Sequence, residues 1–305
     1  MALRVTQGMM HAQLMSNLNT NMNRMSTQQD QIATGRKINK ASDDPVGITY
    51  GLRYRSDLSA NTQYQSNVAS AQSWLDFNDS QMNQAGEILQ RLTTLATQGS
   101  TGTNTQSSLD AINKEISELK NQMLDIANSS FNGKYVFAGQ MFDRKPYDTG
   151  AAGFDAKAVA ADAADVTYAI SESITMNVNL HASSIFGEAD AAGTSDNVFS
   201  IFDRLDGALS SANYSAVGAE LENIKSRLNK VISARAENGA RTNRTELMGN
   251  RLTDLNVSLT ALQSKTEDAD VEKLFLDSAV SQNVYQASLS VGAKIIQPSL
   301  VNFLN

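Results

Sequence analysis

Apolar residues recur at alternating steps of three and four through residues 68–96, and this spacing constrains the fold more than any other feature of the chain. Such a repeat is typical of the apolar seam of a coiled coil, in which one side of a helix packs along another helix. One member of the seam, Asn78, is polar. The members are Val68, Ala71, Leu75, Asn78, Met82, Ala85, Leu89, Leu92 and Ala96.

A second seam follows after a short break. Residues 99–105 are rich in Gly and Thr, a composition that suits a turn between helices. We therefore expect the two helices to fold back on each other in antiparallel fashion. If the first runs from Pro45 to about Thr97, a rise of ~1.5 Å per residue makes it roughly 80 Å long, a rod rather than a globule. The second seam consists of Leu109, Ile112, Ile116, Leu119, Met123 and Ile126.

The C-terminal third repeats the pattern. A third long helix is predicted with a seam at Val217, Leu221, Ile224, Leu228 and Val231 and again at Met248, Leu252, Leu255, Leu259 and Leu262. Between these two stretches, in residues 235–246, the seam becomes polar.

Both ends of the chain are predicted to be amphipathic helices with narrow apolar faces. Helices of this kind are marginal in water when they stand alone. We therefore expect them to pack on neighbouring subunits, through Leu14, Leu18, Met22, Met25 and Ile32 at the N-terminal end and through Leu276, Val280, Val284, Val291, Ile295, Leu300 and Phe303 at the C-terminal end.

A segment of different composition separates the helical halves. Residues 143–199 are rich in Ala, Asp, Gly and Ser, and residues 174–180 alternate apolar and polar side chains as a half-buried strand does. Residues 166–170 are a candidate partner strand, and the β-rich part is expected to begin near Tyr135. The predicted fold class is mainly α: an elongated antiparallel helical stalk or coiled coil built from both chain ends, with a small inserted β-rich domain.

This pattern predicts three regions. Residues 1–44 and 268–305 form terminal helices that are flexible in the monomer and become ordered when neighbouring subunits cover them; the family resemblance described below implies that they polymerise. Residues 45–142 and 198–267 form the helical stalk, and residues 143–197 form the inserted outer domain.

Composition narrows the range of functions. The formal net charge of −7 and the lack of Lys/Arg clusters argue against nucleic-acid binding. With no cysteine, neither a disulfide nor a thiolate metal site is possible. No stretch has the ~20 apolar residues of a membrane span, and the N-terminus does not read as a cleaved secretory signal. The chain is thus expected to stay inside the cell or to leave by a route that reads no such signal.

Two groups of carboxylates are candidates for chemistry. Asp43 and Asp44, followed by Pro45, suit either the start of a helix or an acid/base or metal site, and we favour the helix start. The two histidines, His11 and His181, do not stand at the spacing of a known metal or acid/base motif with these carboxylates. Residues 267–272 have the acidity of a calcium loop without its spacing, so we favour a role at a helix N-terminus. We therefore expect no catalytic residue, cofactor or metal, although a carboxylate-site hydrolase and a membrane-tethering coiled coil stay as alternatives.

Several motifs resemble one known family. IATGRKINKASDDPVG, residues 32–47, is similar to the N-terminal signature of the bacterial flagellin superfamily. Within that superfamily, residues 4–10, 42–45, 131–139 and 235–244 resemble the hook-associated protein 3 family, and GKYVFAG at residues 133–139 favours that family over flagellin. The resemblance covers both helical ends and assigns an inter-domain connector to Gly35, Arg36, Ile38, Asn39, Asp43, Asp44 and Pro45.

The resemblance implies a structural role. The expected protein is a subunit at the junction between flagellar hook and filament, exported through the flagellar type III system and assembled into a tubular ring. The implied partners are other flagellar axial proteins, copies of the chain itself and an export chaperone, with no nucleic acid and no membrane insertion. The implied location is the bacterial flagellum, outside the cell, and the alternative is flagellin, the filament subunit.

Overall fold

The computed structural model describes residues 7–151 and 153–296. Helices dominate this part of the chain, so the predicted fold class, mainly α with a small β-rich part, is confirmed. The helices are α1 (Gln7–Thr34), α2 (Pro45–Gly99), α3 (Gln106–Ala127), α4 (Ala182–Phe186), α5 (Val198–Ser210), α6 (Tyr214–Glu267) and α7 (Val271–Ile296).

The described β structure consists of two short antiparallel pairs. Strands β1 (Ser130–Phe131) and β2 (Lys134–Tyr135) form one pair, and β3 (Thr167–Ser171) and β4 (Ile174–Asn177) form the other. The predicted strand at residues 174–180 is shorter than expected. Beyond β4 the backbone N–H of Val178 still donates to the carbonyl oxygen of Val166, and the side chain of Asn179 then bonds the backbone of Val166 and Ala164 in place of a regular ladder.

The chain divides into two compact units. Met1–Ala60 and Leu255–Asn305 form one, which we call the terminal unit, and Asn61–Asp254 form the other, the central unit. The boundaries between the two units fall inside α2 and α6, whereas the nearest ends of the terminal helices are Thr34 for α1 and Val271 for α7.

The two seams predicted for α2 and α3 are the core of the central unit. Every member of both seams is buried, including Asn78. The turn between the helices ends at Thr105, whose side chain accepts a hydrogen bond from the backbone N–H of Ser108 and thereby caps α3. The heptad spacing therefore predicted these two helices, their buried faces and the break between them.

Helix α6 packs antiparallel to α2 in the central unit, and buried asparagines mark the register. The Asn61 amide donates to the carbonyl oxygen of Leu252 at 3.0 Å, and the Asn238 amide donates to that of Leu75 at 2.9 Å. An ion pair between Arg235 and Asp79 lies in the same register. Polar residues inside a helix seam are a known means of fixing one alignment.

The seam of α6 differs from the prediction in both halves. In the second half Met248 and Leu252 are buried as predicted, but Leu255 and Leu262 are 45% and 44% exposed. The buried positions next to Val217 and Ile224 are Glu220 and Arg227, whereas Leu221 and Leu228 are only half-buried. Both charges are buried because they are paired: Glu220 with Arg204, and Arg227 with Asp196. A reading by hydrophobicity alone chose the neighbouring leucines.

The inserted segment shares the core of the central unit. Ile170, Val178 and Phe186 are buried together with the helical seams. Backbone carbonyl oxygens of the insert also accept hydrogen bonds from α2. The Asn78 amide donates to the carbonyl oxygen of Val178, and the Asn67 amide donates to that of Ala169. Asn78 is thus in the apolar seam because it holds the insert.

Acidic residues order the loop before α5. Asp190 accepts hydrogen bonds from the backbone and hydroxyl of Ser195 and from the hydroxyl of Ser200. Burial would raise the pKa of Asp190, but these hydrogen bonds outweigh it and hold the pKa well below its ordinary value. The pKa of Asp196 is likewise lowered, since hydrogen bonding and charge from Lys230 and Arg227 overcome its burial.

Candidate assembly surface

Helices α1 and α7 pack antiparallel in the terminal unit. Leu14 lies against Gly292 near one end of the pair, and farther along the Asn21 amide donates to the carbonyl oxygen of Ser281 at 3.2 Å. A Cβ atom at position 292 would lie 2.7 Å from a methyl carbon of Leu14. The glycine therefore allows the two helices to approach closely.

The seam between α1 and α7 mixes large hydrophobic residues with polar and small ones. Its half-buried and buried members recur at steps of three and four on both helices, and six of the twelve are polar or small. Among the described residues of the terminal unit, the buried hydrophobic ones are Ile38 and Leu274. The members are Leu14, Leu18, Asn21, Met25, Gln28 and Ile32 on α1, and Leu274, Ser278, Ser281, Tyr285, Ser288 and Gly292 on α7.

The large hydrophobic residues of α7 lie on another face. Leu276, Val280, Val284 and Val291, which we call the apolar face of α7, are each about half exposed or more, with Leu276 at 67%. The three-and-four spacing of the sequence therefore identified a real stripe, and this stripe does not face α1. Because α1 packs on the side of α7 that carries Ser278, Ser281, Ser288 and Gly292, the apolar face of α7 is available to a further partner.

Exposed hydrophobic residues are concentrated in the terminal unit. Among the described residues, all of the large exposed ones except Met141, Ile232 and Leu247 belong to it. Besides the apolar face of α7, they are Met9, Met10, Met15, Met22, Val46, Tyr50, Leu52, Leu255, Val257, Leu262, Val271, Phe275 and Leu289. Such a concentration of exposed large apolar side chains in one unit is typical of an interaction site.

The same helices carry long stretches without charge. Residues 7–23 of α1 and residues 278–293 of α7 contain no Asp, Glu, Lys or Arg. Surfaces of soluble proteins are normally rich in these residues. A partner that packs here is therefore recognised by shape and apolar contact rather than by charge.

The predicted interaction residues fall into three groups. Leu14, Leu18, Met25 and Ile32 face α7, whereas Met22 is 52% exposed because Asn21 takes its place in the seam. The apolar face of α7 is exposed. Leu300 and Phe303 lie outside the described residues, as does the side chain of Ile295. The sequence reading missed Asn21, Gln28 and Ser281 because they are polar, although they continue the three-and-four spacing.

The connector between α1 and α2 is held against the start of α7. Gly35, with φ of +69°, reverses the chain after α1 in a conformation that favours glycine. Its carbonyl oxygen accepts from the backbone N–H of Ala269, and the backbone N–H of Lys37 donates to the carbonyl oxygen of Glu267 at 2.6 Å. Arg36 and Asp268 thus form an isolated antiparallel bridge.

The carboxylates of Asp43 and Asp44 both accept hydrogen bonds from backbone N–H groups. The Asp44 carboxylate accepts from Val46 and Gly47 and caps α2, whose first residue is Pro45, as predicted. The Asp43 carboxylate accepts from Asn39 and Lys40 and closes the connector turn. Asn39 in turn bonds the carbonyl oxygen of Arg36.

Ile38 anchors the connector. It is 3% exposed and lies against α2, where a Cβ atom at Gly47 would come within 2.6 Å of its Cδ1 atom. The glycine therefore leaves room for the isoleucine side chain. The sequence placed Ile38 in the connector but gave no sign that it is one of the terminal unit's few buried hydrophobic residues.

One buried charge in the terminal unit was missed. Glu267 is 1% exposed, and its carboxylate accepts a hydrogen bond from Arg55 of α2 at 2.6 Å. The same side chain lies against Gly51, where a Cβ atom would collide with it. Glu267 therefore joins α2, the end of α6 and, through its backbone, the connector.

The acidic segment at residues 267–272 starts α7, as predicted. Asp270 accepts a hydrogen bond from the backbone N–H of Lys273, and Glu272 lies in the first turn. These charges suit the positive end of the helix dipole. Within residues 7–151 and 153–296, no cluster of His, Cys, Asp and Glu has the arrangement of a metal site. In the same residues, none of the helices combines the length and hydropathy of a membrane span.

The chain is similar to known flagellar proteins. Residues 5–141 match the family described as the bacterial flagellin N-terminal helical region. Flagellar hook-associated protein 3 of Salmonella typhimurium is 21% identical over 94% of this chain and 95% of its own length. Flagellin of Bacillus subtilis is 26% identical over 97% of each chain. Flagellin of Clostridium tyrobutyricum is 27% identical over 63% of this chain, a match that spans 47% of that flagellin.

Solved structures agree on the fold. The crystal structure of flagellar hook-associated protein 3 from Legionella pneumophila superposes with a TM-score of 0.59 at 16% identity, over 72% of this chain and 98% of that one. The chain therefore has a flagellin-like helical fold, and its residues 5–141 resemble the flagellin N-terminal helical region. More particularly, it is homologous over nearly its whole length to flagellar hook-associated protein 3, which confirms the resemblance inferred from its motifs.

Proposed function

We propose that this chain is a structural subunit of the bacterial flagellum at the junction between hook and filament. It is exported through the flagellar type III system, without cleavage of a signal, and assembles outside the cell into a tubular ring. Its neighbours are copies of itself and other axial proteins: a hook-associated protein on one side and flagellin on the other. The names of the full-length relatives support this role.

The observation that carries the proposal is the contrast between the two units. The central unit buries its apolar seams, whereas the terminal unit exposes most of its large hydrophobic residues and joins α1 to α7 through a seam in which half of the members are Asn, Gln, Ser or Gly. A soluble monomer gains little from such an arrangement. A subunit whose terminal helices are covered by neighbours is stabilised by burial of these apolar side chains.

The magnitudes favour assembly through α7. Burial of a Val or Leu side chain contributes about 1.5 to 3 kcal/mol, so the four residues of its apolar face together decide whether a subunit stays in the ring. The α1–α7 seam alone is narrow, and isolated helices are marginal. We therefore assign polymerisation to residues 1–44 and 268–305, which order fully on assembly.

The remaining regions hold the polymerising helices in place. Residues 45–142 and 198–267 act as the stalk, and residues 143–197 face outward from the ring. The connector, Gly35 to Pro45, sets the path of the chain between the polymerising helices and the stalk. Its hydrogen bonds to Glu267 and Ala269 tie both ends of the chain to one joint.

The apolar tail is assigned to the inner wall of the tube. Ile295, Leu300 and Phe303 belong to a cluster that needs cover before assembly, and we propose that an export chaperone supplies it. The function requires no enzymatic step, cofactor or metal. The use of Asp43 and Asp44 as backbone acceptors supports this, because it gives both carboxylates a structural role in the connector and at the start of α2.

The alternative is that the chain is flagellin, the filament subunit. Relatives named flagellin match with similar coverage, so length does not separate the two. The motif at residues 133–139 favours the junction role. In the structure its residues Val136, Phe137 and Ala138 are buried in the central unit, so the motif is part of the fold rather than a variable surface.

Labelling of isolated flagella separates the candidates. An antibody or a small tag on the exposed loop near Met141 is used to locate the chain on flagella from the source bacterium. A thin band at the hook end supports the junction role, and label along the filament supports flagellin. Label absent from flagella altogether contradicts both.

A further inference from the structure

Helix α1 exposes several methionine side chains. Met9, Met10, Met15 and Met22 have exposed fractions of 59%, 41%, 48% and 52%. All lie in the uncharged part of α1, at the surface that the proposed function assigns to assembly. Methionine is flexible and polarizable and suits surfaces that adapt to a partner. It is also the apolar side chain most open to oxidation.

The chain contains its own comparison groups. Met82, Met123, Met176 and Met248 are buried in the central unit, with exposed fractions of 7% or less. Met141 is 61% exposed, but it belongs to the central unit, whereas the α1 methionines belong to the terminal unit. Exposure and location are therefore separable by experiment.

We propose that the four exposed methionines of α1 are an oxidation-sensitive site, and that their conversion to methionine sulfoxide blocks assembly of a subunit that is not yet incorporated. This inference rests on the proposed assembly role of the terminal unit. Once a neighbouring subunit covers α1, the same side chains are protected, so the sensitivity is confined to unassembled protein.

The chemistry needs only a peroxide as oxidant. An oxygen atom of hydrogen peroxide is transferred to the thioether sulfur, the O–O bond breaks, and water is released. The sulfur is oxidised by two electrons and the peroxide is reduced. The product is a polar, chiral side chain in place of a flexible apolar one, and such a change disrupts Met-rich interfaces.

The first experiment measures where oxidation occurs. The purified full-length chain is treated with dilute hydrogen peroxide and sampled over time by peptide mass spectrometry. The α1 methionines and Met141 should form sulfoxide at least about tenfold faster than Met82, Met123 and Met176, because susceptibility follows exposure. Equal rates for the exposed and buried groups overturn the assignment of the site.

The second experiment measures the consequence. In the source bacterium, a chain in which Met9, Met10, Met15 and Met22 are all changed to Gln, which imitates the polar sulfoxide, replaces the natural copy. The matched control is Met141→Gln, and the conservative variant changes the same four methionines to Leu. Sheared flagella are then probed for each chain, and the helical content and urea midpoint of each purified chain are checked.

The Gln variant should keep its helical content and urea midpoint and be severalfold depleted from flagella, whereas the Met141 control and the Leu variant should be incorporated normally. Wild-type protein that is oxidised before it is added to flagellar hooks lacking it should fail to bind, and the Leu variant treated in the same way should bind. Normal incorporation of the Gln variant overturns this inference alone. Failure of untreated wild-type chain to enter flagella overturns the proposed function instead.

Discussion

The side-chain amide of Asn238, in the middle of α6, donates a hydrogen bond of 2.9 Å to the backbone carbonyl oxygen of Leu75 in α2. Asn238 is fully buried, and its own carbonyl oxygen has no hydrogen-bond partner. A leucine would give more apolar burial at this position. The asparagine therefore serves alignment: only one register of the two helices brings its amide to that carbonyl.

Loss of this bond should weaken the central unit. We expect Asn238→Ala to lower the free energy of unfolding by about 1 to 2 kcal/mol, because a buried hydrogen bond is lost even though Ala favours a helix. Urea denaturation followed by circular dichroism measures the change. Asn243→Ala, at an exposed position of the same helix, is the control. Equal stability of the two variants would show that the asparagine is not used in this way.

The acid sensitivity of the central unit should depend on Asp190. Its pKa in the folded chain is lowered, so its stabilising contribution is complete above the unfolded value, near 3.9, and is lost as the pH falls toward the folded value. We expect stability to decline below about pH 5 and Asp190→Asn to flatten that decline. Thermal melts between neutral and acidic pH test this, with exposed Asp143→Asn as the control. An unchanged slope for Asp190→Asn would exclude this carboxylate as the source.

The pair formed by Glu267 and Arg55 should hold the connector. Glu267→Gln removes a charge from a buried side chain while Arg55 stays partly exposed, so we expect a cost of about 1 to 2 kcal/mol. Hydrogen exchange should speed up at the backbone N–H of Lys37 and Ala269, which bond across the connector. Exposed Glu272→Gln should leave both amides as protected as in the wild type. If Glu267→Gln does the same, the pair has no role in the joint.

The terminal helices should be the first part of the free monomer to open. Half of the members of their shared seam are polar or small and their fully buried apolar residues are few, so local unfolding there costs little free energy. Mild proteolysis of soluble chain should therefore remove residues before about Asp43 and after about Asp268 ahead of any cut in the central unit. Ends that resist as long as the central unit would contradict the proposed order of folding and assembly.

Much of the helical fold was predictable because a heptad repeat is a local property of sequence. The seams of α2 and α3 were identified residue by residue, and the helix start at Asp43, Asp44 and Pro45 was identified as a segment. Glu220 and Arg227 were missed because their burial depends on Arg204 and Asp196, partners distant in sequence. Periodicity alone also could not tell which face of α7 meets α1. That choice depends on the fit of Gly292 and Ser281 to Leu14 and Asn21, which only the folded chain reveals.

The most direct test of the account concerns the apolar face of α7. Val280 and Val284 are 53% and 49% exposed, so Val280→Asp with Val284→Asp should leave the folded monomer intact while placing charge where a neighbour must pack. The matched control is Met141→Asp, at an exposed position of the central unit. Both chains are expressed in source cells that lack the natural copy, and the amount in sheared flagella is compared with the urea midpoint of each purified chain. We expect an unchanged midpoint for both chains, normal incorporation of the control and near absence of the double variant from flagella. Normal incorporation of the double variant would contradict it.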